Sequence, residues 1–81
     1  MYYIYIRKSS FFEARPFQSI SCALQEAIQD IRSRRAIPCA MIDSNGNTVY
    51  NKKELIRAVE EYSIKNGIDV GTGFYSYLWT E

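Results

Sequence analysis

The residue types that usually carry enzyme chemistry are sparse in this chain. Its 81 residues include no histidine and only two cysteines, Cys22 and Cys39. Histidine is the commonest general base and metal ligand, so catalytic triads, dyads and zinc sites lack their usual member. The adjacent carboxylates Glu60 and Glu61 diverge by about 100° on a predicted helix, as solvated charges do. The sequence therefore predicts a protein that is not an enzyme, with no catalytic residue, no metal ligand and no cofactor.

The two cysteines are more typical of a reducing compartment than of a disulfide. Cys22 lies near the apolar stripe of a predicted helix, and a free cysteine there behaves as a small hydrophobic residue. The N-terminus lacks a charged region followed by an apolar run, and no stretch approaches the roughly 20 apolar residues of a membrane span. We therefore expect a cytoplasmic protein with two reduced thiols and no membrane partner.

Two loops have compositions that resemble ligand-binding motifs. The segment DSNGN, residues 43–47, has the oxygen-rich composition of a calcium loop but not the required spacing of its glycine and its final glutamate. Asn45 and Gly46 instead favour a type I′ hairpin turn, in which both residues take positive φ. Gly71-Thr72-Gly73 lacks the third glycine of a dinucleotide fingerprint, and a strand-like run follows it. Neither loop is therefore predicted to bind a ligand.

Basic side chains could form a local nucleic-acid site, although the formal net charge is only +1. The candidate cations gather near the end of one predicted helix and the start of the next. They are Arg32, Arg34, Arg35, Lys52 and Lys53. Cations in the last turn of a helix also complement its dipole without any ligand. Nucleic-acid binding is thus the alternative function, and its signature would be steep salt dependence.

The aromatic content is larger than a small core requires: seven tyrosines, four phenylalanines and one tryptophan. Tyrosine and tryptophan dominate binding hot spots because they bury large areas at small rotamer cost. We expect a partner-binding surface formed by Tyr3, Tyr5, Arg7, Arg15, Tyr75, Tyr77 and Trp79. Three other uses stay open for these aromatics: covering the protein's own sheet, forming a homodimer, or stacking single-stranded bases.

Hydrophobic periodicity places these residues on four strands and two helices. The predicted elements are strand 2–6, strand 11–17, helix 20–35, strand 39–43, strand 48–50 and helix 52–66. They are followed by residues 71–81, a further strand or a tail. The first helix should begin after the N-cap Ser19 and stop before Pro38. The second should begin at a capping box of Asn51 and Glu54. This order, ββαββα, predicts a single α+β domain with an antiparallel sheet and both helices on one face.

The alternation within the first strand decides which side chains meet the helices. Ile4 and Ile6 fall on one side, and the more polar Tyr3, Tyr5 and Arg7 fall on the other. We expect the apolar side, together with Phe12 and Val49, to pack on the helices. Tyr3, Tyr5 and Arg7 would then face away from them.

In its size, compact strand and helix layout and tyrosine-rich segments YYIYIR and GFYSYLWTE, the chain resembles small phage and prophage anti-defence proteins of the anti-CRISPR type. The resemblance concerns scale and composition and transfers no functional residue. It implies an inhibitor or regulator that occludes a surface of a larger host complex. A protein partner is therefore the first expectation, ahead of nucleic acid.

Overall fold

The computed structural model describes residues 1–68, which form a four-stranded antiparallel sheet and two helices. The elements are β1 Tyr3–Lys8, β2 Phe12–Phe17, α1 Ile20–Ser33, β3 Ile37–Asp43, β4 Thr48–Tyr50 and α2 Lys52–Lys65. Their order, ββαββα, and the α+β class agree with the prediction from sequence. Residues 71–81, for which a strand or a tail is predicted, lie outside the described residues.

The strands are arranged in the order β2-β1-β3-β4, and all neighbours run antiparallel. Tight connections join β1 to β2 and β3 to β4, whereas α1 carries the chain from β2 across to β3. Both helices cover the same face of the sheet. One face of β1 and β3 is therefore enclosed, and the other is directed away from α1 and α2.

Local capping signals set the beginnings of the helices as predicted. The Ser19 hydroxyl accepts a hydrogen bond from the backbone N–H of Cys22, 3.1 Å away. The side chains of Asn51 and Glu54 each accept from the other's backbone N–H and form a complete capping box. Two apolar helix faces then build the core. Their members are Ala23, Leu24, Ala27, Ile28 and Ile31 of α1 and Leu55, Ile56 and Val59 of α2.

The end of α1 differs from its predicted position. The helix stops at Ser33, and Arg34 takes a left-handed conformation with φ 55°. Pro38, expected only to follow the helix, lies within β3 opposite Arg7, beside an irregularity in the β1–β3 register. Proline is tolerated there because β4 pairs only with Met41 and Ile42, so no strand of residues 1–68 beyond β3 needs the missing donor.

The turn between β3 and β4 is also not of the predicted type. Among the non-glycine residues of the described chain only Arg34 has positive φ, so Asn45 does not adopt the type I′ conformation. Within this turn only Gly46 is left-handed, with φ 86°. The Asp43 carboxylate accepts hydrogen bonds from the backbone N–H groups of Asn45 and Asn47, each at 2.9 Å. These bonds favour a longer loop that places the left-handed residue at the glycine.

The assignment of faces to β1 was wrong. Tyr5 is fully buried, Arg7 is 7% exposed, and Tyr3 packs against the core, so this side of β1 meets the helices. Their cross-strand partners in β3 include Met41, which is fully buried opposite Tyr5. Ile4 and Ile6 therefore point away from the helices.

Candidate functional site

A cluster of ionised side chains lies between the sheet and α1, with Asp30 at its centre. The Asp30 carboxylate is fully buried and accepts a hydrogen bond from the Tyr5 hydroxyl at 2.8 Å. Arg7 donates to both of its oxygens, at 2.9 and 3.0 Å. Arg35 donates through Nε at 2.8 Å. Four short bonds thus compensate the cost of burying this carboxylate.

The cluster extends from the interior to the surface and balances its own charge. Arg7, Arg15 and Arg35 all approach the Glu26 carboxylate, at 2.9, 3.3 and 3.4 Å. Glu13 approaches Arg7 from the opposite strand, at 3.4 Å. We call this set the polar cluster: Tyr5, Arg7, Glu13, Arg15, Glu26, Asp30 and Arg35. It holds three cations and three carboxylates, so it creates little net field outside the protein.

The polar cluster is suited to stabilising the packing of β1 on α1. Burial is the main cause that raises the pKa of the Tyr5 hydroxyl, and its hydrogen bond to Asp30 raises the pKa further. Desolvation alone would lower the pKa of Arg7, but its bonds to Asp30, Glu26 and Glu13 outweigh desolvation and raise the pKa. Both groups therefore keep their protons. Within residues 1–68 no buried side-chain N or O atom lacks a hydrogen-bond partner.

The opposite side of the sheet presents an apolar surface. Residues paired across antiparallel strands share a face, and the pairs Ile4 with Pro16, Ile4 with Ile42, and Ile6 with Ala14 form two rows. We call this surface the open face: Ile4, Ile6, Phe12, Ala14, Pro16, Ala40 and Ile42. Phe12, Ala14 and Pro16 are exposed, and the three isoleucines are half-buried.

Two phenylalanines at one end of the open face are the most exposed aromatic side chains of the described part of the chain. Phe11, in the connection between β1 and β2, and Phe12, at the start of β2, are each 65% exposed. The ammonium of Lys8 lies 5.4 Å from the centre of the Phe12 ring. An exposed aromatic pair beside a cation is a typical composition for a contact surface.

At the same end of the molecule lies a hollow of about 280 Å³. Its lining includes Lys8 at the end of β1, Ser9 and Ser10 of the β1–β2 connection, and Arg34 and Arg35 of the connection between α1 and β3. We call it the basic hollow; Ala36 and Ile37 complete its lining. The lining carries three cations and no carboxylate.

The cations predicted for nucleic-acid binding are thus partly brought together. Arg34 and Arg35 share the basic hollow, whereas Lys52 lies near Cys39. Burial raises the pKa of the Cys39 thiol, and the nearby charges of Lys52 and Lys8 oppose that rise. Arg32 and Lys53 are exposed but do not line the hollow. Lys8 and the two serines were not predicted, because their proximity to Arg34 depends on the long connection through α1.

The predicted partner-binding residues fare less well. Tyr5 and Arg7 are buried in the polar cluster and cannot form a contact surface, while Arg15 reaches Glu26 with half of its side chain exposed. Tyr3 packs partly against the core. The remaining three, Tyr75, Tyr77 and Trp79, lie outside the described residues. Phe12 was expected in the core, yet it is exposed. Because β2 pairs with β1, residues of β2 share a face with their partners in β1, and this pairing was the signal that could have placed Phe12 on the same face as Ile4 and Ile6.

Further features of residues 1–68 bear on other functions. No group of three or more metal-binding side chains occurs in this range. None of its helices has the length and apolar character needed to cross a membrane. A groove of about 560 Å³ runs along α1 past Cys22, Gln25 and Gln29 to Phe17 and Ile68. The cysteines are free thiols; Cys22 is exposed and Cys39 is half-buried.

Comparison of the chain with known proteins found no matching family model, no matching curated protein and no matching solved structure.

Proposed function

We propose that this protein is a non-enzymatic binding module that docks on a larger protein through the open face and occludes the surface it covers. The observation that carries the proposal is the apolar sheet surface opposite both helices, ending in the exposed Phe11 and Phe12. Contiguous apolar surface of this kind often marks a protein interaction site. Occlusion of a host complex is also what the resemblance to anti-CRISPR-type proteins implies. Both cysteines are free, which suits action in the cytoplasm.

The size of the open face favours a distinct partner over a second copy. The open face spans three strands about 4.8 Å apart and about six residues long, which present roughly 300 Å². A standard stable interface needs about 800 Å² from each side. Two copies joined only through this face would therefore fall short. A larger partner with a concave apolar pocket can also enclose Phe11 and Phe12 at the end of the face, and so gain the missing area.

The proposal assigns the anchoring role to Phe12, with the isoleucines of the open face as supporting contacts. Large, exposed aromatic side chains that enter a pocket carry most of the energy of many interfaces. Because Phe12 is 65% exposed, its truncation should remove contact area without opening a cavity in the core. Binding and stability can therefore be measured separately.

The test uses the full chain and three variants, Phe12→Ala, Ala14→Glu and the matched control Ile64→Ala. Ile64 is 74% exposed on α2, which packs on the other side of the sheet. We expect one co-purifying protein to be captured by wild type and Ile64→Ala and lost by both open-face variants. All four proteins should have the same melting temperature and remain monomeric in sedimentation.

Three results would refute the proposal. If the open-face variants capture the same protein as wild type, docking uses another surface. Concentration-dependent dimers that Ala14→Glu dissolves would identify a second copy as the occupant. Strong destabilisation of the monomer by Phe12→Ala would mean that the face is covered by the protein's own chain.

A further inference from the structure

The strongest unassigned feature is the groove of about 560 Å³ along α1, on the side of the sheet opposite the open face. Its volume falls within the range of about 300–1,000 Å³ that is typical of binding pockets. The lining combines the apolar side chains of Phe17, Ile28 and Ile68 with the amides of Gln25 and Gln29. Such a lining suits tyrosine and tryptophan, which have an apolar ring and one polar group.

Contacts within the described residues hold the walls of this groove in place. The ring of Phe17 packs against the ring of Tyr5, with 6.4 Å between their centres. The Gln25 amide donates to the Tyr62 hydroxyl at 2.8 Å and so links α1 to α2 beside the groove. The groove is therefore formed before anything enters it, as binding pockets usually are.

The chain itself reaches the groove where α2 ends. Gly67 is left-handed, with φ 66°, and its N–H donates to the Ile64 carbonyl at 3.2 Å. The N–H of Ile68 donates to the Ser63 carbonyl at 2.8 Å, which completes a Schellman motif. Ile68 is half-buried and packs against the core. Because Ile68 is the last described residue, residues 69–81 continue directly from the lining of the groove.

The sequence that follows Ile68 has the length and composition to occupy the groove. An extended chain from residue 69 to residue 79 can span up to about 36 Å, whereas α1 is only about 21 Å long. In such a chain alternate side chains, such as those of Tyr75 and Tyr77, are about 6.6 Å apart. Gln25 and Gln29 are separated by about 6 Å along the axis of α1. The two spacings match closely enough for successive aromatic residues to meet successive amides.

Tethering favours this segment over a separate molecule. A segment joined to the groove by a short linker has an effective concentration of roughly 1 mM. The ratio of docked to free forms is this concentration divided by the dissociation constant of the isolated segment. Even a weak affinity of about 0.1 mM would therefore keep about nine-tenths of the molecules docked.

We propose that the groove along α1 binds residues 74–79 of the same chain, with Tyr75, Tyr77 and Trp79 directed towards α1. The amides of Gln25 and Gln29 pair with the polar groups of these side chains, and Phe17 and Ile68 contact their rings. The three aromatic residues then serve as internal contacts, in place of their predicted role in partner binding. The groove and the open face lie on opposite sides of the sheet, so a failure of either proposal leaves the other intact.

The test uses the full chain and the fluorescence of Trp79, its only tryptophan. Cys22→Glu places a carboxylate in the lining of the groove, and Ser21→Glu is the matched control one residue away. Both positions are exposed in the first turn of α1, where a negative charge is favourable, so both variants should fold by circular dichroism. We expect short-wavelength emission and weak acrylamide quenching in wild type and Ser21→Glu. In Cys22→Glu both should shift towards the values of the urea-unfolded chain.

A second measurement perturbs the segment and observes the groove. Docking should slow the reaction of Cys22 with a thiol reagent without stopping it, because the free fraction still reacts. Trp79→Ala should therefore increase the labelling rate of Cys22 by up to about tenfold. Nuclear Overhauser effects between the Trp79 ring and the side chains of Cys22 or Gln29 should be present in wild type and absent in Cys22→Glu.

Three outcomes overturn the inference. Quenching of Trp79 in wild type that equals quenching in urea would leave the groove to another occupant. Protection of Trp79 that survives Cys22→Glu would place the segment on another surface. Protection that disappears on dilution would show that the segment comes from a second copy of the chain.

Discussion

Removal of the Asp30 carboxylate should be among the most damaging single changes in this protein. Asp30→Ala leaves the Tyr5 hydroxyl without its partner and deprives Arg7 of two hydrogen bonds in a region that is nearly closed to water. A buried polar group that loses its partner costs about 1–3 kcal/mol. Breaking a buried ion pair from one side costs about 3–5 kcal/mol. Since Glu26 remains 2.9 Å from Arg7, we expect a combined loss of about 3–4 kcal/mol.

That loss is large relative to the whole stability of a chain of this size. At about 0.05–0.15 kcal/mol per residue, an 81-residue domain has roughly 4–12 kcal/mol in total. Urea unfolding followed by circular dichroism measures the change, with a slope of about 1 kcal/mol per molar urea. The midpoint of Asp30→Ala should therefore fall by about 3–4 M.

Milder variants keep the reasoning testable if Asp30→Ala does not fold. Tyr5→Phe removes one hydrogen bond, keeps the ring in the core and should cost about 1 kcal/mol. Glu61→Ala is the control, because this exposed carboxylate on α2 has no salt bridge within residues 1–68 and should change stability by less than about 0.5 kcal/mol. A midpoint for Asp30→Ala within about 1 M of wild type would refute the stabilising role of the polar cluster. So would a Tyr5→Phe protein as stable as wild type.

Two further predictions concern the thiols and the cap of α2. At neutral pH the exposed Cys22 should react with a thiol reagent well before Cys39, because burial raises the pKa of Cys39 and lowers its thiolate fraction. Lys52→Gln should slow Cys39 further by removing a charge that lowers its pKa; equal rates for Cys22 and Cys39 would contradict this reading. Asn51→Ala removes one side of the capping box and should lower the free energy of unfolding by about 1 kcal/mol, measured in urea. Asn51→Asp retains an N-cap acceptor and should restore most of that loss.

The sequence specified the elements whose signals are local. Ser19, Asn51 and Glu54 mark the helix starts through hydrogen bonds made within three residues, and the 3.6-residue spacing of α1 and α2 selects their buried faces. The α+β class follows from the order of these elements. The sequence predicted an antiparallel sheet but not its strand order, in which β1 pairs with β3 although α1 and β2 lie between them in the sequence.

The orientation of β1 could not be read from β1 alone. Its two sides, Ile4 with Ile6 and Tyr5 with Arg7, are both rich in side chains able to fill a core, so hydrophobicity favoured the isoleucines. The deciding residue is Asp30, which lies on the same side of α1 as Ala23 and Ala27 and requires a cation in the interior. An acidic residue on an apolar helix stripe was the available signal.

The candidate sites depended on that orientation. Once Tyr5 and Arg7 turn inward, the isoleucines and Phe12 turn outward, and the open face replaces the predicted tyrosine surface. The basic hollow combines residues more than 20 positions apart, such as Lys8 and Arg34, which no local pattern connects. Partner binding through Tyr75, Tyr77 and Trp79 stays a prediction.

The two edges of the described sheet limit how other molecules can join it. At one edge Pro16 of β2 has no backbone N–H to donate, and at the other edge β4 is only three residues long. Within residues 1–68, an incoming strand would find an interrupted row of donors and acceptors at either edge, which disfavours β-augmentation and growth into cross-β fibrils. We therefore expect the proposed docking to use side-chain contacts across the open face, and the proposed partner to present a matching pocket rather than an extended peptide.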